Sequence, residues 1–566
     1  MRQYPKNELA QLVIQLCDIN KIENVVISPG SRNAPLTIGF TNHPKFKTFS
    51  IVDERSAAFF ALGIAQQSLK PVAIVCTSGS ALLNYYPAIA EAFYSKIPLI
   101  VITADRPKQL IDIGDGQTIR QENVFDNHIL FNANLADQKT NQFTPEEIKN
   151  NNILIQNAIE TGIEQKGPVH INVPFDEPLY ETIDDFTIEI QEKAVLDNDS
   201  LLDEMPLEVD QLQKFANVWN NTSKKMVLLG SNFPDEMIQT QLSHIVKDPS
   251  VLVLTETLSN VFDDRFINCI DQLISPLCED EFIDLRPDIL LTFGGMIVSK
   301  KIKQFLRKYK PKHHWHIDKF NAPDTFHCLD HHFTISPQLF FSQFFFLTKI
   351  KNSDYQNKWL QIKNNRKTKH QNFLSNAKFT DLKVFEIVLQ SLPNNSNLQL
   401  SNSSIVRYTQ LFNLNKKIQV FCNRGTSGID GSTSTAIGAA YFNKEQTIFI
   451  TGDISFFYDS NALWNNYIKR DFRIILINNS GGGIFRFIPG PKSTNALDYF
   501  ETPHHLDASY LAKMFEFEYS SAKNLDELEK RLKDFFKDSG KPKILEIFTP
   551  SKINDIELNA YFSKLK

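Results

Sequence analysis

The stretch QTIFITGDISFFYDSNALWNNYIKRDFRIILINNSGGGIF (446–485) decides the fold. It begins with one short apolar, β-branched run, QTIFITGD (446–453), and carries a second, FRIILINN (472–479), towards its end. Such runs mark strands buried on both faces, as in a parallel sheet. A helix expected from about Asp459 to Lys469 would join them into a βαβ crossover, with the two strand ends side by side. Ligands of open parallel sheets sit beyond those carboxyl ends. Asp453 ends one strand and Asn479 the other. A carboxylate, an amide oxygen and a nearby glycine carbonyl are the hard oxygen donors that suit Mg²⁺. The glycines at 481–483 let the backbone approach a phosphate closely, and the helix start beyond them adds amide donors. Either half alone reads as an ordinary strand–turn–helix; the pair at this spacing points to a metal-held diphosphate.

Working outward, strand and helix keep alternating. NVVISPG (24–30), FKTFSIVDE (46–54), PVAIVCTSG (71–79), PLIVITAD (98–105) and GPVHINVPFDEP (167–178) read as strands, with helices over 55–67 and 80–95. The acidic, aperiodic stretch 186–208 reads as a linker. A second block holds KKMVLLGSN (224–232), SVLVLTE (250–256), DILLTFGG (288–295) and HHWHID (313–318). A polar, basic segment at 351–378 reads as a solvated helix leading into the third block, which adds strands KIQVFCN (417–423) and KILEIFT (543–549). The expectation is an α/β chain of three doubly wound parallel-sheet domains, at 1–185, 186–350 and 351–566.

Composition removes other classes. Of 566 residues, 42% are hydrophobic and 22% charged, which excludes a disordered chain. A net charge of -5 gives no general attraction to nucleic acid or an anionic membrane surface. The six cysteines are scattered without a CxxC pair, against a disulfide framework or zinc site and in keeping with a reducing compartment. The first twenty residues lack the apolar core of a secretory signal, and LFFSQFFFL (339–347) is too short to span a bilayer. A cytoplasmic protein without an integral membrane segment is expected. Neither a Walker A motif nor a complete GxGxxG occurs, so ATP and NAD readings lack support. His313, His314, His316, His331, His332, His504 and His505 have no carboxylate at ligand spacing and read as structural.

SPGSRNAPL (28–36), DERSAAFFALGIA (53–65), TSGSALLNYYPA (77–88), LIVITADRP (99–107), QTIRQENVF (117–125), NRGTSGIDGSTSTAIGAA (423–440), TGDISFFYDSNAL (451–463) and NNSGGGIF (478–485) occur in this order. Together they resemble the thiamine diphosphate (ThDP) family of 2-succinyl-5-enolpyruvyl-6-hydroxy-3-cyclohexene-1-carboxylate synthases of the menaquinone pathway. The generic ThDP motif has GDG where this chain has Ile454 after Gly452 and Asp453, and GDIS is a mark of that branch.

The resemblance implies ThDP and Mg²⁺, with Mn²⁺ as a substitute. It implies Glu54 as the acid that activates the aminopyrimidine, and Ile429 as the prop for the bent cofactor. Gly452, Asp453, Asn479, Gly481 and Ile484 would bind the cofactor, with Asp453, Asn479 and the Gly481 carbonyl on the metal. Ser31, Arg32, Arg106 and Gln117 match an isochorismate side, and Ser403, Arg407 and Arg424 a 2-oxoglutarate side. Lys300, Lys301 and Phe485 would also face substrate. The family more often has Lys–Arg at 300–301, and Lys301 cannot reproduce a bidentate clasp. A homodimer or dimer of dimers is implied, with small-molecule substrates and no nucleic-acid partner. The alternatives are another ThDP-dependent 2-oxoacid decarboxylase or carboligase, and a non-catalytic α/β ligand-binding protein.

Overall fold

A computed structural model describes residues 3–137, 143–190, 204–488 and 490–566. It contains three parallel sheets, as the apolar runs require. The first runs in the order Lys47–Ser50, Asn24–Ile27, Val72–Cys76, Leu99–Asp105, Val169–Pro174, Asn132–Asn134. The third runs Gln419–Cys422, Asn397–Leu400, Thr447–Gly452, Arg473–Asn478, Lys543–Phe548, Glu518–Ala522. Both sheets place their strands in the same chain order: second, first, third, fourth, sixth, fifth. The central sheet has five strands, Val251–Thr255, Lys225–Leu229, Ile289–Phe293, His313–Ile317 and His331–Phe333. Among the described residues no helix is long and apolar enough to cross a membrane.

Several local expectations change. The helix expected over 459–469 is instead a short helix Asp453–Tyr458 followed by a 3-10 turn Ser460–Leu463. Asp459 stops it by turning inward, where it accepts from the Ser434 N–H (2.8 Å) and hydroxyl (3.1 Å). Glu54 and Asp453 do not end strands; each is the first residue of a helix. The basic segment forms the helix Tyr355–Leu374, but Tyr355, Trp359 and Leu374 are buried, so one face docks rather than being solvated. Of the linker expected at 186–208, residues 191–203 lie outside the described residues. His314 and His316 both meet the Thr292 hydroxyl, at 2.9 and 2.8 Å, and burial pushes each down to about 4. They are neutral packing groups.

The first and third sheets meet through helices Glu54–Ser68 and Ser432–Phe442, whose small residues allow backbone contact. A Cβ on Gly63 would lie 2.1 Å from the Thr435 carbonyl oxygen, and one on Gly438 would lie 2.0 Å from that of Phe60. Backbone cannot yield as a side chain can, so Gly438→Ala is expected to destabilise the chain by about 1–3 kcal/mol or more. Thermal unfolding should show a lowered midpoint, whereas Gly540→Ala, whose Cβ meets nothing within 4 Å, should leave it unchanged.

Candidate active site

The carboxyl ends of Thr447–Gly452 and Arg473–Asn478 lie side by side in parallel register. Asp453 is almost fully buried there. Its Oδ1 accepts from the Ile454 N–H (2.8 Å) and its Oδ2 from the Gly481 N–H (2.9 Å). His504 Nε2 stands 3.3 Å from the same Oδ2. The Asn479 amide donates to Asp381 Oδ2 (3.1 Å), which aims its Oδ1 the other way. That Oδ1 is buried without a hydrogen-bond partner. A carboxylate and an orphaned amide oxygen held against one glycine loop fit a hard cation. Gly481 has φ +149, and a Cβ there would meet the Glu501 carbonyl at 2.6 Å, so only glycine serves. The Ile429 carbonyl accepts from Ser455 (2.6 Å), tying the GID loop to the helix that starts at Asp453. Ile484 and Phe485 follow in a 3-10 turn, Gly483–Arg486, and the Phe485 ring packs 5.2 Å from that of Phe500.

Two arginine pairs stand near these ends. Ser403, with φ +68, opens the turn into helix Ser404–Thr409, and its carbonyl accepts from Arg407 Nη1 (2.5 Å). Arg424 is buried; its Nη1 donates to Asn402 Oδ1 (2.7 Å) and its Nε has no partner. Burial first, and then the charge of Arg424, lowers the pKa of Arg407. On the first sheet, Arg32 donates to the Phe175 carbonyl (3.0 Å) and Arg106 to that of Gly116 (2.9 Å). Burial and then the Arg106 charge lower the pKa of Arg32. Both Nε atoms are buried without partners. Ser31 beside Arg32 is exposed, and the Gln117 carbonyl, at φ +55, accepts from Ser78 (2.9 Å). Arg407 and Arg106 are only partly buried, and Glu177 and Asp115 stand 3.4 and 3.6 Å from Arg32 and Arg106; like charges brought close within each pair still favour a bound anion.

Glu54 is only half-buried, and burial raises its pKa. Its neighbours turn toward the third sheet: Asp53 accepts from Asn461 (2.7 Å) and Arg55 donates to the Tyr458 carbonyl (3.0 Å). The Glu54 carboxylate instead meets Asn84 of its own unit, at 3.4 Å, with Val52 and Leu83 exposed nearby in sequence. Lys300 opens the helix Lys300–Lys308. Lys301 donates to the Ser275 hydroxyl (2.6 Å) and lies 4.4 Å over the Phe562 ring.

Three matches cover most of the chain. Residues 7–130 match the thiamine pyrophosphate enzyme N-terminal TPP-binding domain, 198–400 the middle domain, and 403–547 the C-terminal TPP-binding domain. A protein of Flavobacterium johnsoniae named 2-succinyl-5-enolpyruvyl-6-hydroxy-3-cyclohexene-1-carboxylate synthase is 54% identical over 99% of this chain and 100% of its own length. Relatives of the same name from Flavobacterium psychrophilum and Christiangramia forsetii are 55% and 53% identical, covering 99% and 100% of this chain and all of their own. The chain belongs to this synthase family. The fold also resembles the crystal structure of benzoylformate decarboxylase from Polynucleobacter necessarius, with TM-score 0.71 and 15% identity over 97% of this chain and 99% of that one.

Membership of the synthase family makes the chain a ThDP-dependent enzyme of menaquinone biosynthesis and a carboligase. Four residues around its site are missed by motif reading. Glu91, buried in helix Ala81–Ser95 of the first unit, accepts from the Gly425 N–H (2.6 Å), the Thr426 N–H (2.7 Å) and the Thr426 hydroxyl (2.8 Å). It thereby holds the loop that carries Arg424. Its one signal in sequence is a lone Glu in the apolar run YYPAIAEAFY. Asp381 orients Asn479, and burial pushes it up to about 6. His504, expected to be structural, stands against Asp453. Lys303, one turn beyond Lys300, is half-buried and makes no hydrogen bond among the described residues, in the field of Glu256 and Arg424.

Proposed function

We propose that this chain joins the succinyl semialdehyde unit of 2-oxoglutarate to isochorismate with release of CO₂, giving the product in the family's name. The observation that carries this is two pairs of arginines that repel each other, Arg407 with Arg424 and Arg32 with Arg106, one member of each pair, Arg424 and Arg32, being buried. Two dianionic substrates need two such cationic ends, and a planar guanidinium suits a carboxylate bidentately. When bound, ThDP supplies the electron sink for loss of CO₂ from a 2-oxo acid. Asp453, the Asn479 oxygen and the Gly481 carbonyl would hold Mg²⁺ and through it the diphosphate. Glu54 would share a proton with the aminopyrimidine ring nitrogen, and Ile429 would brace the cofactor. Arg407, Arg424 and Ser403 would seat 2-oxoglutarate, and Arg32, Arg106, Ser31 and Gln117 would seat isochorismate.

The assembly we infer is a symmetric dimer, alone or paired into a tetramer. The Glu54 carboxylate bonds within its own unit, while Asp53 and Arg55 beside it bond to the third. That arrangement supports a cofactor held between Glu54 of one copy and Asp453 of another, with two identical sites per dimer.

The test is turnover with ThDP and Mg²⁺. CO₂ should leave 2-oxoglutarate, and a ligated product of the expected mass should appear when isochorismate is added. Release of succinic semialdehyde alone, with isochorismate untouched, would overturn the reading in favour of a simple decarboxylase. The arginine pairs should divide the work. Arg407→Ala or Arg424→Ala should raise the KM for 2-oxoglutarate about ten- to a hundredfold, from about 1.5–3 kcal/mol per charge-assisted bond. Arg32→Ala or Arg106→Ala should spare CO₂ release and impair ligation. Equal loss of decarboxylation in all four would contradict the division.

A further inference from the structure

Helix Tyr355–Leu374 buries a stripe at helical spacing that includes Tyr355, Trp359 and Leu374, and Arg366 lies in the middle of that stripe. Arg366 is only 8% exposed, yet among the described residues it makes no hydrogen bond or ion pair, and its Nε is buried without a partner. A desolvated cation without a counter-charge is costly, and such groups in native proteins are usually paired. The acid whose charge reaches it, Glu281, accepts instead from the Cys278 N–H (2.8 Å).

Arg366 borders a cavity of about 40 Å³ between this helix, the segment Ile267–Leu273 of the central unit and Leu411–Asn413 of the third. Lys363 and Lys367 line it too, with Asn268, Gln272 and Asn413, and among the described residues no Asp or Glu does. His370 at its edge adds no charge, because burial pushes it down to about 4. Lys363 already serves the Asp264 and Phe266 carbonyls, both at 2.7 Å, which leaves Arg366 and Lys367 for an occupant. The volume corresponds to about three water molecules, the space of one tetrahedral oxyanion.

We propose that this cavity is a binding site for a phosphate-sized oxyanion, held by Arg366 and Lys367 where the connecting helix meets the central and third units. The site is separate from both arginine pairs, but its wall leads toward one of them: Gln272 donates to the Leu411 carbonyl (2.6 Å), four residues beyond Arg407. An occupant would brace the segment that follows the Arg407 helix.

Thermal unfolding of the full chain, with saturating ThDP and Mg²⁺ and at fixed ionic strength, tests this with inorganic phosphate as the probe. The midpoint should rise saturably with phosphate, and by clearly less with acetate or chloride. Arg366→Met should abolish the phosphate response while matching or exceeding the wild-type midpoint in chloride, since an unpaired buried charge is gone. Should Arg366→Met not fold, Lys367→Met, at an exposed position, should still weaken the response several-fold. No phosphate response in the wild type, an equal one in the variants, or an equal effect of acetate would overturn the site.

Discussion

Glu54→Gln is expected to lower CO₂ release from 2-oxoglutarate by a factor of about 10² or more, the size typical of a general acid–base group. Burial raises the pKa of Glu54, which favours the neutral acid able to share a proton with a ring nitrogen. Glutamine keeps the shape and still accepts from Asn84, which now bonds the carboxylate at 3.4 Å, but it cannot exchange a proton. Calorimetry should therefore find ThDP binding largely retained while turnover collapses. Near-normal turnover would remove Glu54 from the role. A parallel loss of ThDP binding would make it a binding residue rather than the activating acid.

Most of the sheet architecture is legible in the sequence because parallel strands are buried on both faces and so read as apolar runs. The strands that escape reading are the polar ones. Asn397–Leu400 is interior to its sheet, yet Asn397 and Gln399 are polar because they face the first unit, bonding Gln67 (2.9 Å) and Gln66 (3.4 Å). Asn132–Asn134 and Glu518–Ala522 are edge strands with one neighbour each, so their pattern is weaker. Glu54 and Asp453 move from strand end to helix start for a local reason. Asp53 caps one helix by accepting from the Ser56 N–H, and the Asp453 carboxylate accepts from the Ile454 N–H at the start of the other.

At the site, Asp453 and Asn479 are legible as a pair because a crossover fixes their spacing. The buried Nε atoms of Arg32, Arg106 and Arg424 and the orphaned Asn479 oxygen are tertiary facts that no motif carries. Glu91 is the plainest case. Its partners, Gly425 and Thr426, lie more than three hundred residues away in sequence, and only the packing of the first unit on the third brings them together.

Mixing two inactive variants tests directly whether one cofactor is held by two copies of the chain. Glu54→Gln and Asp453→Ala chains, each inactive alone, would be unfolded together, refolded and shown to have paired. With shared sites, each hybrid dimer has one site carrying both lesions and one carrying neither. Random pairing should then restore about a quarter of the wild-type activity. If each chain built its own site, every site in the hybrid would keep one lesion. Paired hybrids with no recovered activity would contradict the shared site.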